Sequence, residues 1–175
     1  INAVTDAVSD VLTNALKRTG EVSGAATGAV SDVAQGVIQG TSQVGGNLGE
    51  AAKGMVIGVL RGTKEVGGEA LNTISTSVRS LIQETGSVGG DIGNTVTSAV
   101  EGTIHAAKDA GVHAGDAVAA AVAGAMRATG EIGTSATDAA SNVASGVIRG
   151  TSKVGGELGA AAKYAVIGVL RGTKD

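Results

Sequence analysis

Apolar and polar residues recur in this chain with a period of eleven, and the phase holds from end to end. Set in rows of eleven, the sequence needs no insertion when Thr19, Thr41, Thr63, Thr85, Thr129, Thr151 and Thr173 share the first column. Columns one, four, five, eight and nine hold mostly Val, Ala, Leu, Ile, Met, Thr and Gly. All 13 basic and 16 acidic residues fall in the other six columns. Eleven residues in three turns is about 3.67 per turn, which predicts α-helix with a straight or gently right-handed supercoil. The apolar columns form an arc about 130° wide, broader than a two-stranded seam. Strands would need a period of two, which is absent.

Longer repeats overlie this one. Residues 36–64 and 146–174 match at 23 of 29 positions, at an offset of 110. The threonines recur every 22 residues, with Ala107 in the one missing slot. An ordinary loop would slip the phase. The expectation is therefore all-α: one long, unbroken helix over residues 1–175, on the order of 260 Å in length, without separate domains. It amounts to about sixteen eleven-residue units on the same count. The Gly-Gly pairs at 45–46, 67–68, 89–90 and 155–156 recur in phase and read as part of the repeat.

Glycine changes the picture from a lone helix to an assembly. There are 30 glycines, each costing about 0.8–1 kcal/mol in an exposed helix relative to Ala. Close approach of helix backbones would offset that cost. Gly45, Gly67, Gly89, Gly111, Gly133 and Gly155 share column five and are the candidate helix–helix packing sites. Gly36, Gly58, Gly102, Gly124, Gly146 and Gly168 share column seven. Thr19, Thr41, Thr63, Thr85, Thr129 and Thr151, at the centre of the arc, join the packing set. Their hydroxyls either bond back to the i−4 carbonyl or form a polar layer that sets register.

Charge sorting adds a direction. Eleven of 13 bases lie in columns two, six and ten, and eleven of 16 acids in columns three, seven and eleven. Parallel neighbours would set a basic flank against an acidic one. The expected partner is the chain itself, a homo-oligomer of parallel helices forming a coiled coil, tube or filament.

Little points to chemistry. The chain has no Cys, Trp, Phe or Pro, and Tyr164 is its one aromatic residue. His105 and His113 stand eight residues apart on the polar face, the wrong spacing for a helical zinc pair. No phosphate loop or nucleophile elbow is present. We expect no enzyme, no cofactor and no metal. A net charge of −3 gives nucleic acid no electrostatic foothold. The sequence has no run apolar enough for a membrane helix. Opening on Ile1 and closing in mid-pattern, it reads as a piece of something longer or a processed product.

Tracts such as Val59-Leu60-Arg61-Gly62-Thr63-Lys64-Glu65 and Gly172-Thr173-Lys174-Asp175 resemble the eleven-residue repeats of perilipins and synucleins. That resemblance implies an amphipathic helix lying on a lipid surface: a droplet, a membrane or a storage granule. A lipid surface is thus the alternative partner. The chain departs from those families in its heavier glycine and its more segregated acids.

Overall fold

Every 22 residues the chain turns back on itself. The computed structural model describes residues 24–66, 70–155 and 158–173, with six positions between residues 3 and 14. Those six positions are helical, and seven further α-helices follow: α1 (Gly24–Gln43), α2 (Leu48–Val66), α3 (Ala70–Ser87), α4 (Ile92–Ala110), α5 (Ala114–Glu131), α6 (Ala136–Val154) and α7 (Leu158–Gly172). The expectation of one unbroken helix, assembled in parallel with other chains, is overturned. The reason is arithmetic: a helix of 18 to 20 residues plus a short turn fills two eleven-residue periods. The turn therefore consumes no phase, and an unslipped register is equally compatible with a folded chain.

The turns explain both 22-residue columns. At the end of α3 the Gly90 N–H donates to the Thr85 carbonyl at 2.8 Å, and the Gly89 N–H to the Gly86 carbonyl at 3.1 Å. This is a Schellman motif, with Gly89 as the left-handed residue after the helix (φ 68°). Gly46 with Thr41 and Thr134 with Thr129 repeat the longer bond at 2.8 Å, as does Val112 with Ala107 at 3.1 Å. The threonine column is thus the last-turn position whose carbonyl receives the closing bond, and Ala107 fills the same role. Asp91 then accepts from the Asn94 N–H at 2.9 Å and Asn47 from the Glu50 N–H at 3.1 Å, starting the next helix.

Each helix packs on the next and, more extensively, on the one after that. Helices α1, α3, α5 and α7 form one layer, and α2, α4 and α6 the other. Neighbours in sequence run antiparallel across the layers; neighbours within a layer run parallel. The broad apolar arc is what lets one helix serve three or four partners. Between the layers lies a continuous core with Ile38, Met55, Leu60, Ile74, Leu81, Ile82 and Val96 fully buried or nearly so. Aliphatics fill it without an aromatic because small residues bring the helices close.

That closeness has a fixed geometry. A Cβ on Gly102 would stand 3.1 Å from the Lys53 carbonyl oxygen. One on Gly146 would stand 2.7 Å from that of Thr97, and one on Gly168 at 2.7 Å from that of Ala119. Gly124 meets the Ser75 carbonyl in the same way. All four pairs are 49 residues apart, linking α2 to α4, α3 to α5, α4 to α6 and α5 to α7. The close approach belongs to column seven and, through Gly150 and Gly172, to column eleven.

Candidate functional site

The column-five glycines do not lie between helices. Gly45, Gly89, Gly111, Gly133 and Gly155 have positive φ, from 67° to 74°, and no heavy atom stands within 4 Å of where a Cβ would be. They are turn residues; Gly67 lies outside the described residues. Of the threonines, Thr85 donates to the Leu81 carbonyl at 2.7 Å and Thr129 to that of Ala125 at 2.9 Å. Thr85 also meets the Thr95 hydroxyl at 3.2 Å, joining α3 to α4. Thr63 and Thr151 are buried, and Thr41 is half-buried. The Thr151 hydroxyl has no hydrogen-bond partner among the described residues. Thr19 lies outside the described residues.

Two features stand out from the repeating scaffold. The first is an ion cluster across one layer. Glu101 of α4 is 6% exposed, and its Oε1 accepts from Lys53 Nζ of α2 and Lys153 Nζ of α6, each at 2.6 Å. Burial pushes the Glu101 carboxyl up, but the hydrogen bonds and charges of Lys153 and Lys53 outweigh it and hold it below its usual value. The Glu101 hydrogen bond in turn raises Lys153. An exposed counterpart in the other layer joins Arg79 of α3 to Glu131 of α5 at 2.5 Å, with Gln83 donating to the same carboxylate. These charges are consumed by one another, and the arrangement clamps helices without presenting a reactive group.

The second is an open end. Between α6 and α7 runs an apolar groove of about 440 Å³, lined by Val143, Val147, Ile148, Ala165, Val166 and Leu170 among others. Ile148 is 54% exposed, and Val166 and Leu170 are each 60% exposed. Residues 44 positions earlier, two units back, are buried: Val100, Ile104, Val122 and Met126 stand where Ala144, Ile148, Val166 and Leu170 stand in the groove. There α6 and α7 cover them. No described helix covers α6 and α7 themselves.

Chemistry of other kinds is sparse among the described residues. His113 and Tyr164 meet edge to face at 5.6 Å beside an apolar cavity of about 170 Å³. His113 Nδ1 stands 3.6 Å from Asp116, and both are exposed. No group of three metal-ligating side chains forms among the described residues. No described helix is long and apolar enough to cross a membrane.

No family model and no curated protein matches the chain. Among solved structures it is similar to a de novo designed helical repeat protein, at 14% identity and a TM-score of 0.50. The match covers 98% of this chain and 94% of that one. The likeness is one of fold: paired helices stacked into an all-α repeat array.

Proposed function

We propose that this chain is a non-enzymatic structural protein, a helical-repeat rod that associates with further copies of itself. The observation that carries the reading is the apolar groove between α6 and α7, where residues equivalent to core positions stand open. Repeat arrays bury a continuous core only by stacking, and a solvent-facing end needs a polar outer face. The α6–α7 end has an apolar one, of the kind that marks an interaction surface.

Sedimentation velocity of the purified chain without lipid tests this. Assembly that grows with concentration is the expected outcome. A monomer at every concentration, floating with phosphatidylcholine vesicles, would replace the proposal with a lipid-coating role. That role would require the apolar arcs to leave one another, and Val56, Val78, Leu81 and Val96 are fully buried.

A further inference from the structure

The open groove has a natural occupant elsewhere in the same chain. Among the described residues helix α1 begins the layer that α7 ends, and no described helix covers its outward face. Gly36 and Gly40 are exposed, with no heavy atom within 4 Å of where a Cβ would be. They stand 132 residues, or six 22-residue units, before Gly168 and Gly172. Those two glycines seat α7 on α5: Gly168 against Val122 and the Ala119 carbonyl, Gly172 against Met126 and the Ala123 carbonyl. The residues 44 positions after this seat are Val166, Lys163, Leu170 and Ile167, all on α7. Donor face and receiving face thus both exist, in one register, at opposite ends of one layer.

Resting on the self-association reading above, we infer that copies of this chain join end to end, with α1 of one copy seated on α7 of the next. Gly36 lies over Val166, Gly40 lies over Leu170, and the two helices run parallel. The joint repeats the internal α5–α7 contact, so no new packing mode is needed. It is heterologous, because the surface that gives differs from the surface that receives. Such a contact propagates into an open filament unless its rotation closes a ring. Polar groups agree with the seat. Lys163 occupies the repeat position of Lys53, and Gln35 of the incoming copy that of Glu101, an amide oxygen replacing a carboxylate.

Two double variants test the joint, one for each end. In G36L/G40L the new side chains enter open space in the monomer, so the fold is kept while the giving face is blocked. In V166E/L170E two exposed side chains become charged and the receiving face is blocked. Circular dichroism should show wild-type helicity for both. Wild-type chain, of 16.7 kDa per copy, should form species larger than dimers, while each variant alone stays monomeric. An equimolar mixture should form a dimer and stop there, since one intact joint remains. Assembly of G36L/G40L alone, or a mixture that stays monomeric while wild type assembles, would overturn the α1–α7 seat and leave self-association standing. A wild-type chain that stays monomeric would sink both.

Discussion

A Cβ on Gly146 would stand 2.7 Å from the carbonyl oxygen of Thr97 and 2.9 Å from the Val100 Cβ. Backbone therefore meets backbone where α6 lies on α4. Replacing Gly146 with Ala raises intrinsic helix propensity by about 1 kcal/mol, but overpacking opposes it by about 1–3 kcal/mol. The carbonyl cannot move without its helix, so net destabilisation is expected in urea denaturation. Gly36→Ala, which meets open space, should instead stabilise by up to about 1 kcal/mol. Equal effects at the two sites would refute the assignment of close approach.

Turn glycines should respond differently from seat glycines. Gly89 has φ 68° and open space around it, so the penalty there is conformational. Gly89→Ala should lose about 1 kcal/mol of stability, from a left-handed cost of about 1–2 kcal/mol less a smaller gain from a stiffer unfolded chain. Thermal unfolding would check it. A variant as stable as wild type would mean that the turn does not need this conformation.

Acid should loosen the Glu101 cluster. The folded carboxyl titrates below its ordinary value of 4.5, so its contribution is present above that pH and disappears as pH falls through the depressed value. Lys153 titrates above its ordinary 10.5, so its share is present below that pH and is lost at higher alkalinity. Glu101→Gln should remove about 1.5–3 kcal/mol near neutrality, the scale of a charged hydrogen bond, and flatten the acid limb. Lys53→Met should weaken the fold more than Lys153→Met, because Lys53 is 15% exposed and Lys153 61%. An acid profile unchanged by Glu101→Gln would exclude the carboxylate as its source.

Two threonines of the same column should diverge. Thr85 bonds to Leu81 and Thr95, so Thr85→Val should lose about 1 kcal/mol. The buried Thr151 hydroxyl lacks a partner among the described residues; Thr151→Val keeps the shape and removes an unsatisfied group, and stability should rise by about 1 kcal/mol. Loss of stability at Thr151 would show that its hydroxyl is satisfied in solution.

Helicity and the sidedness of every helix were legible in the eleven-residue pattern, because burial follows the arc whether the partner is another chain or the next helix. The folding back was not, since the turns keep the phase. Its local signal lay in the residues after the glycine pairs: Gly46-Asn47 and Gly90-Asp91 combine a helix stop with the cap of a new helix. Column phasing put glycine at two kinds of place, and phase alone cannot tell a turn from a seat. The 49-residue spacing of the seats can, once the chain is known to return. Glu101 stands among the basic columns, an exception whose reason is visible only when Lys53 and Lys153 arrive from two other helices.

The near-duplicate tracts 36–64 and 146–174 lie an odd number of units apart, five steps of 22 residues. Their equivalent helices therefore sit in opposite layers: the first tract runs from α1 to α2, the second from α6 to α7, with front and back exchanged. One amino-acid pattern is at home on either side of the array. The repeat thus behaves as a screw that advances by a single helix, rather than as a stack of dissimilar hairpins. Chains of this kind can lengthen or shorten by one helix at a time: slippage of a 22-codon block would keep the helix-on-helix packing, while side-chain clamps such as Lys53–Glu101 survive only where the block lies outside them.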